Sequence, residues 1–344
     1  MTKVAIALSG GVDSLVSAHL LKQSHPNLFG IHFTTGYEPI PVDLENLEGQ
    51  LGFPITRIDL SEEFERTIVR YFVDTYMDGK TPNPCLYCNQ EIKFGLLLEH
   101  AQRLGADYLA TGHYATIVNS ISANRPVPQP WLEKGTDPKK DQSYFLSRLT
   151  PKQLDRVIFP LAGFTKSRVK ALAKENGLSP LTQGESQDIC FIPDQSFSDF
   201  ILKKLPEPPK PGPIKDISGK VVGQHKGLHA FTIGQRRGIN CPAAEPYYVK
   251  KIDVKTNTLV VCFKKDLGDR HMGVGNLRWN ISLPPDPMVL ETKIRYNHPG
   301  AMASVSIEKD RALVEFQEPQ FAVTPGQAAV FYQDNRVVGS GIIQ

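Results

Sequence analysis

The sequence predicts an α/β protein: a doubly wound parallel sheet in the N-terminal part, a small β-rich central module and a C-terminal β-barrel. Strand-like and helix-like stretches alternate with short connections over the first third, which is typical of parallel sheets with right-handed crossovers. A proline-rich segment at Leu205–Pro213 indicates a stiff linker. Short β-rich runs fill the rest of the chain, as in β modules and barrels. The predicted domains are therefore residues 1–203, 204–275 and 276–344.

The predicted N-terminal strands are short apolar runs bounded by turn residues, beginning with Lys3–Ser9. From Val12 to Leu20 apolar residues recur at helical spacing. Ser120–Pro130 is predicted to be an irregular loop, because proline lacks an N–H donor. Further strands are expected at Leu28–Phe33, Thr56–Leu60 and Tyr108–Thr111, with helices at about 43–51, 61–77, 91–104, 151–157 and 165–176. After the linker, β-rich runs lie at Tyr247–Ile252, Thr258–Phe263, Val289–Ile294, Ala303–Ile307, Ala312–Phe316 and Ala328–Tyr332.

The composition is that of a globular protein and excludes a disordered chain: 40% of the 344 residues are hydrophobic and 22% are charged. There is no apolar run of about 18 residues, the length that a membrane span needs. The N-terminal apolar run is too short for a secretory signal. Five cysteines are an odd, small number, which argues against a secreted disulfide framework. These observations predict a cytoplasmic protein without membrane association.

The charge is unevenly distributed along the chain, although its formal sum is only +3. Residues 1–202 carry 19 basic and 23 acidic side chains, residues 203–275 carry 14 and 6, and residues 276–344 carry 6 and 7. A basic central block favours an anionic partner. The alternative is a lysine-rich surface whose only role is solubility.

Ser9–Ser14, with the sequence SGGVDS, lies where the first strand ends and the first helix begins. Glycines at such a turn let backbone N–H groups approach phosphates, and the helix N-terminus adds positive potential. The loop lacks the Gly-Lys-Ser/Thr of a Walker motif and the third glycine of a Rossmann fingerprint. It matches the SGGxDS pyrophosphatase loop of enzymes that split ATP into AMP and pyrophosphate. Ser9 and Ser14 would then bind phosphates, and Asp13 would orient the loop or hold Mg²⁺.

Three of the cysteines lie in polar motifs. Cys85 and Cys88 have CxxC spacing, which suits either redox exchange or metal ligation. Cys190 follows the acidic and polar stretch 185–188. Cys241 and Cys262 lie in the β-rich region without polar neighbours, and we interpret them as small buried hydrophobic residues.

Together these motifs closely resemble the tRNA-specific 2-thiouridylase family, the tRNA-uridine 2-sulfurtransferases that thiolate the wobble uridine. The resemblance covers nearly the whole chain. It rests on SGGVDS, TPNPCxxCNxxIKF (Thr81–Phe94), ATGHYA (Ala110–Ala115), KDQSYFL (Lys140–Leu146), ESQDICFI (Glu185–Ile192), GQHKGLHAFTIGQRRGI (Gly223–Ile239), IRY (Ile294–Tyr296) and PQFAVTPGQAAVFY (Pro319–Tyr332).

The resemblance implies a residue-by-residue assignment of the site, with ATP, Mg²⁺, tRNA and a sulfur donor (a sulfur-carrier protein, a cysteine desulfurase or sulfide) as partners. Cys88 would be the nucleophile, and Cys190 would carry the persulfide sulfur. The ATP-binding residues would be Ala7, Leu8, Ser9, Gly10, Gly11, Val12, Asp13, Ser14, Phe33 and Gly112. Asn83, Pro84 and Cys85 would touch the target base, and His113, Lys140, Asp141, Gln142, Arg295, Tyr296 and Gln327 would contact tRNA.

The implied chemistry is consistent with these residue types. Adenylation of the C2 oxygen of uridine turns AMP into the leaving group, and a sulfur nucleophile then attacks C2. A sulfur nucleophile near a helix N-terminus is expected to have a lowered pKa. Transfer of sulfur from a Cys190 persulfide would leave a Cys88–Cys190 disulfide, which cytosolic thiols reduce.

The chain departs from the family pattern in two places. Many members have Asp where this chain has Cys85, so a second mechanism stays open: Cys85, Cys88 and Cys190 would ligate a [4Fe–4S] cluster whose fourth iron binds sulfide. The other departure is the segment Phe33–Pro39, where the family commonly has a Met and then a longer acidic insertion.

Two alternative functions remain. One is another adenylating ligase or amidotransferase of the same loop class, which would not need the paired cysteines. The other is a non-catalytic tRNA-binding protein, against which the intact SGGVDS loop argues. The predicted tRNA contacts also have structural readings: His113 as a core histidine, Lys140–Gln142 as a solvated loop, and Arg295 and Tyr296 as a cross-strand pair.

Overall fold

The computed structural model describes residues 2–122, 125–182, 189–192, 196–280 and 286–344, with the backbone alone at 120–122 and 125–128. The chain forms two compact units. The first contains Met1–Ile68, Cys85–Pro193 and Gln333–Val338, and the second contains Val69–Pro84, Asp194–Tyr332 and Gly339–Gln344. None of the helices in the described ranges has the length and apolarity needed to cross a membrane.

The helices and strands up to residue 204 alternate as the sequence predicts. They are β1 (Val4–Ala7), α1 (Val12–Ser24), β2 (Leu28–Thr34), α2 (Leu44–Leu51), β3 (Ile55–Asp59), α3 (Ser61–Phe64), α4 (Arg70–Met77), α5 (Pro84–Tyr87), α6 (Leu98–Arg103), β4 (Tyr108–Ala110), β5 (Ala115–Ser122), β6 (Arg125–Lys134), α7 (Ser143–Leu146), α8 (Pro151–Leu154), β7 (Val157–Ile158), α9 (Lys166–Glu175) and α10 (Phe197–Lys204). Two π-helical segments, Glu65–Val69 and Cys88–Leu97, join α3 to α4 and α5 to α6.

The first unit is built on a parallel sheet with strand order β3-β2-β1-β4-β7, which confirms the doubly wound prediction. Val4 of the central strand pairs with Leu28 of β2 and with Tyr108 of β4. Strand β1 is buried because α1 packs over it, with Leu15 and Val16 in the same core as the strand residues. The carboxyl ends of β1, β2 and β4 therefore lie side by side, where ligands bind in open α/β sheets.

The predicted loop at Ser120–Pro130 is wrong, because β5 and β6 form an antiparallel hairpin. Prolines occupy alternate positions of β6, at 126, 128 and 130. Alternate residues of a strand direct their N–H groups to the same side, so these prolines leave the other side of the strand able to pair. The rule that proline opposes strands fails here because it ignores this periodicity.

The π-helical segment Cys88–Leu97 has two supports. A Cβ at Gly95 would lie 3.2 Å from the Gln90 carbonyl oxygen, so glycine permits a close approach of the two turns. The side-chain amide of Gln153 donates to the carbonyl oxygens of Gln90 and Phe94, at 2.9 and 2.8 Å. These bonds satisfy carbonyl groups that the wider turn leaves without an α-helical partner.

The second unit contains two β structures. A four-stranded sheet has the order β10-β11-β8-β9, and a six-stranded barrel has the order β12-β15-β14-β13-β16-β17, closed by pairing of β12 with β17. Their bounds are β8 (Gly212–Asp216), β9 (Val221–His225), β10 (Tyr248–Asp253), β11 (Thr258–Cys262), β12 (Gly268–Trp279), β13 (Met288–Lys293), β14 (Ala301–Glu308), β15 (Arg311–Phe321), β16 (Ala328–Gln333) and β17 (Arg336–Ile343). The sequence-based domain boundary at 275/276 falls inside β12, and α10 belongs to this unit.

Candidate active site

The loop between β1 and α1 is shaped for phosphate. Gly10 has a φ of +78°, a left-handed conformation that favours glycine, and Gly11 is the extended N-cap of α1. Ser14 Oγ donates to the Gly11 carbonyl oxygen at 2.8 Å. The amide groups of Ser9 and Gly11 make only long bonds to serine hydroxyls, at 3.3 and 3.4 Å. These amides are therefore held in place but are readily exchanged to phosphate oxygens.

Two other predicted ATP-binding residues lie at the same edge of the sheet. Phe33 is the penultimate residue of β2, and Gly112 follows β4 by two positions. A Cβ at Gly112 would lie 2.9 Å from the carbonyl carbon of Asp13 and 3.1 Å from Ser14 N. Gly112 thus lets the chain after β4 pack directly on the first turn of α1. The predicted residues Ala7–Ser14, Phe33 and Gly112 all border one crevice position.

Asp13 is held by two residues that the motif reasoning did not single out. Its carboxylate accepts hydrogen bonds from Lys166 Nζ at 2.7 Å to each oxygen and from the Tyr114 hydroxyl at 2.7 Å. The Lys166 side chain is 11% exposed. The available sequence signal was its position: Lys166 is the first residue of α9, after the N-cap Thr165, where the helix dipole disfavours a cation.

Cys85 and Cys88 lie at the entry of the π-helical segment, Cys85 in α5 and Cys88 as the first π-helical residue. Burial raises the pKa of Cys85 to about 11, and Cys190 adds to the rise while Lys93 opposes it. Burial likewise raises the pKa of Cys88 to about 12, with Lys93 opposing and both other thiols reinforcing it. The expectation of lowered thiol pKa values is therefore wrong for this structure, because desolvation outweighs the nearby positive charge.

Cys190 is exposed, yet the atoms packed around its thiol raise its pKa, with Lys93 opposing. Lys93 thus acts electrostatically on all three thiols. It lies five positions after Cys88, and the i→i+5 bonding of a π-helix places such residues on the same side of the segment. In a regular α-helix the same spacing would separate them.

The three motif cysteines lie in one unit, and all five cysteines of the chain are unbridged thiols. Among the described residues no group of three or more His, Cys, Asp or Glu side chains is arranged to hold a metal ion. The residues present therefore do not form a site for an iron–sulfur cluster. Residues 185–188 of the Cys190 motif lie outside the described part of the chain. Cys262 is buried in β11 and Cys241 is half-buried, which fits packing roles.

The segment that departs from the family pattern, Phe33–Pro39, packs beside Cys190. The Tyr37 ring contacts Phe191 at a centroid distance of 5.9 Å, and its hydroxyl donates to Glu65. The Glu38 carboxylate accepts from Thr35 N and Oγ1, at 2.7 and 2.8 Å. Although burial opposes it, these bonds lower the pKa of Glu38. The short segment is thus an ordered turn next to the predicted persulfide carrier.

His113, a predicted tRNA contact, is only 8% exposed. Its ring packs against Phe94 and Phe159, at centroid distances of 5.6 and 5.9 Å, and its Nδ1 is hydrogen-bonded to Thr111 Oγ1. Burial, with a contribution from Lys93, holds the pKa of His113 well below its usual range. The histidine is therefore neutral and supports the core beneath the cysteines, and little of it is accessible to RNA.

The predicted tRNA contacts at 140–142 are anchored to the unit's own backbone. Asp141 is buried and accepts from Gly135 N and Ser143 N, at 3.0 and 3.1 Å. The Gln142 side-chain carbonyl accepts from Tyr114 N at 3.0 Å. Lys140 is half-buried. Asp141 and Gln142 therefore fix the turn that presents Lys140.

In the second unit, Gln327 and Asn83 belong to one hydrogen-bonded region. Gln327 Nε2 donates to the carbonyl oxygens of Thr81 and Pro82, at 3.3 and 2.9 Å, so the barrel residue holds the start of the base-contacting loop. Asn83 is buried, and its N–H donates to the Tyr71 hydroxyl at 3.2 Å.

Arg295 and Tyr296 follow β13 in a turn rather than lying in a strand, so the cross-strand reading is wrong. Arg295 Nη1 donates to the Phe321 carbonyl oxygen at 2.9 Å. The basic residues of the central block that the sequence ranks as phosphate contacts are exposed; they are Lys203, Lys204, Lys226, Arg236 and Arg237.

Comparison with known proteins gives consistent relatives along the whole chain. Family models described as a tRNA methyl transferase HUP domain, a tRNA methyl transferase PRC-barrel domain and an aminomethyltransferase β-barrel domain match residues 2–194, 198–263 and 269–343. A protein of Desulfosudis oleivorans named tRNA-specific 2-thiouridylase MnmA is 46% identical, over 99% of this chain and 94% of that protein. One from a Thermoanaerobacter species, named tRNA-specific 2-thiouridylase MnmA 2, is 42% identical over 99% and 98%. One from Syntrophotalea carbinolica, also named tRNA-specific 2-thiouridylase MnmA, is 41% identical over 99% and 98%.

Proposed function

Since this chain belongs to the tRNA-specific 2-thiouridylase family, we propose that it is a tRNA-uridine 2-sulfurtransferase that uses ATP to thiolate C2 of the wobble uridine. The observation that carries the proposal is the composition of the first unit. One compact unit holds an SGGVDS loop ordered for phosphate and three motif cysteines that influence one another electrostatically. An adenylating site and a sulfur-transfer site are the two parts that this reaction requires.

In the first step, the C2 oxygen of the uridine attacks the α-phosphorus of ATP, and pyrophosphate leaves. The amides of Ser9 and Gly11 and the hydroxyl groups of Ser9 and Ser14 are placed to bind the phosphates, which supplies positioning and charge stabilisation. Mg²⁺ accompanies ATP as part of the substrate and neutralises the leaving group. This loop chemistry favours adenylation, even though the matching family models carry methyl transferase descriptions.

In the second step, the terminal sulfur of a Cys190 persulfide attacks C2, and AMP leaves with the oxygen. The Cys88 thiolate then attacks Cys190 Sγ, the sulfur–sulfur bond to the base breaks, and its electron pair completes the C2 thiocarbonyl. The product enzyme holds a Cys88–Cys190 disulfide, which an external thiol reduces. Exposure suits Cys190 to accept sulfur from a donor, and burial suits Cys88 to resolve the intermediate.

The raised pKa values add a requirement to this scheme. A neutral Cys88 is a poor nucleophile, so its proton must leave as the attack proceeds. Lys93 is the positive charge that opposes the rise at Cys88, Cys190 and Cys85, and it stabilises whichever sulfur becomes anionic. Cys85 stands where many relatives of the resembled family have Asp, and we propose that it contacts the base with Asn83 and Pro84.

We propose the persulfide relay rather than a [4Fe–4S] mechanism because the described cysteines form no ligand group. Iron and sulfide quantitation on anaerobically purified protein tests this choice. Full thiolation by iron-free protein supports the relay. Activity that requires a reconstituted cluster would support the cluster mechanism instead.

We propose that tRNA contacts the predicted residues of both units and the exposed basic residues of the central block. The sulfur donor is a persulfide-bearing protein or sulfide, and the expected compartment is the cytoplasm, where tRNA and reducing thiols are present.

The experiment that tests the function combines purified protein, unmodified tRNA, Mg·ATP and a defined sulfur source. Pyrophosphate release that depends on tRNA, together with 2-thiouridine in the digested tRNA, is the expected result. Cys88→Ala and Cys190→Ala should abolish thiolation, whereas Cys262→Ala is the matched control. Pyrophosphate release that depends on a small amine instead of tRNA would show a different adenylating enzyme.

A further inference from the structure

Lys166 occupies a position that ordinary helix design avoids. It is the first residue of α9, and no acidic residue lies in the first turn of this ten-residue helix. A cation there opposes the helix dipole. The lysine is also largely buried, at 9% exposure for the whole residue, so its charge is removed from most of the solvent.

A structural role explains this placement poorly. Lys166 Nζ lies 2.7 Å from both carboxylate oxygens of Asp13, 153 positions earlier in the sequence. Partly buried ion pairs contribute little net stability, because desolvation of the two charges offsets their attraction. The Tyr114 hydroxyl already donates to Asp13 at 2.7 Å. The pair is better explained by what happens at the loop when a ligand arrives.

The carboxylate partner lies in the phosphate loop itself. Asp13 is the second residue of α1, one position before Ser14. The pair as it stands is neutral, so the loop holds a positive charge without exposing it uncompensated. A lysine carries its ammonium on a flexible four-carbon chain with three donors, which lets it move between acceptors a few ångströms apart.

We propose that Lys166 is a nucleotide-binding residue that exchanges Asp13 for the phosphate oxygens of ATP. In the nucleotide-free protein its ammonium group neutralises Asp13. When the triphosphate enters the loop, Lys166 turns to a phosphate oxygen, and Asp13 keeps its hydrogen bond from Tyr114 and faces the Mg²⁺ that accompanies ATP. This inference rests on the proposed use of ATP.

The test is equilibrium binding of Mg·ATP and of adenosine, without tRNA, to wild type and variants. Lys166→Met should weaken Mg·ATP binding at least about tenfold, as expected for loss of a charge-assisted hydrogen bond. Adenosine, which has no phosphate, should bind as it does to wild type. Lys166→Arg should recover part of the loss. Lys174→Met removes an exposed lysine from the same helix and should leave Mg·ATP binding unchanged.

A neutral pair of variants keeps the test valid if Lys166→Met does not fold. Asp13→Asn and the double variant Asp13→Asn/Lys166→Met differ only in the lysine, and neither leaves a carboxylate without its cation. The double variant should bind Mg·ATP at least about tenfold more weakly than Asp13→Asn. Equal Mg·ATP affinity in that comparison would overturn the proposal and make the pair a structural one.

The outcome is separable from failure of the proposed function. If the wild-type protein binds Mg·ATP but makes no 2-thiouridine, the thiolation proposal fails while the role of Lys166 is still measured. If thiolation is observed and Lys166→Met binds Mg·ATP as wild type does, the role of Lys166 fails alone.

Discussion

Replacement of Gly112 by alanine isolates one steric contact beneath the proposed ATP site. The added Cβ would lie 2.9 Å from the carbonyl carbon of Asp13, 3.1 Å from its oxygen and 3.1 Å from Ser14 N. All three are backbone atoms at the start of α1, so no side chain can rotate away. The first turn of α1 or the chain after β4 must therefore shift by several tenths of an ångström.

The expected cost follows from that displacement. Overpacking of this kind destabilises by about 1–3 kcal/mol, or a fall in Tm of about 2–4 °C for each kcal/mol in a domain of this size. Because the displaced atoms belong to the phosphate loop, we also expect Gly112→Ala to weaken Mg·ATP binding at least about tenfold. Differential scanning calorimetry and equilibrium binding measure the two effects on the same protein.

Gly163→Ala is the matched control, because a Cβ there meets no atom within 4 Å. It should change neither Tm nor Mg·ATP affinity appreciably. If Gly112→Ala binds Mg·ATP as tightly as wild type and unfolds at the same temperature, the close packing of Gly112 on the loop does not position the ATP site.

Four further predictions concern other parts of the chain. Because burial keeps the pKa of His113 below its unfolded value, its contribution to stability is present above about pH 6.5 and is lost as the pH falls, so His113→Gln should flatten the decline of Tm between pH 7 and 5; an unchanged slope would contradict this. With a pKa of about 12, Cys88 should react slowly with iodoacetamide at pH 8, and Lys93→Gln should slow it further while the exposed Lys152→Gln does not; equal rates in both variants would refute the role of Lys93. Gln327→Ala removes two hydrogen bonds to the loop at Thr81 and Pro82, so thiolation should fall about tenfold with Mg·ATP binding unchanged, and wild-type thiolation would show that the loop holds itself. Neutralising Lys203, Lys204, Lys226, Arg236 and Arg237 should flatten the salt dependence of tRNA binding, and an unaltered slope would exclude them as phosphate contacts.

The parallel sheet was predictable because its strands are short apolar runs, and a buried parallel strand needs little else from its sequence. The β5–β6 hairpin was not, because proline spacing decides whether a strand can pair, and proline count does not. Strand β17 was missed as well. Its sequence RVVGSGII contains two glycines, and glycine weakens a strand prediction although closure of the barrel orders the segment.

The site divides in a similar way. The loop Ser9–Ser14 could be located from its sequence because its chemistry is local: glycine conformation, a helix N-terminus and two hydroxyl groups. The ion pair of Lys166 with Asp13 could not, because it joins residues 153 positions apart. The raised pKa values of Cys85 and Cys88 were also beyond the sequence, since burial is a property of the folded chain and exceeds the effect of Lys93.

The most direct test of the account is a single turnover by wild-type protein carrying one persulfide on Cys190, mixed with unmodified tRNA and Mg·ATP in the absence of any other thiol. The account predicts one 2-thiouridine, one AMP, one pyrophosphate and one Cys88–Cys190 disulfide per active site, measured by nucleoside analysis and peptide mass spectrometry. Formation of 2-thiouridine with Cys88 still a free thiol, or no 2-thiouridine despite an intact persulfide, would contradict it.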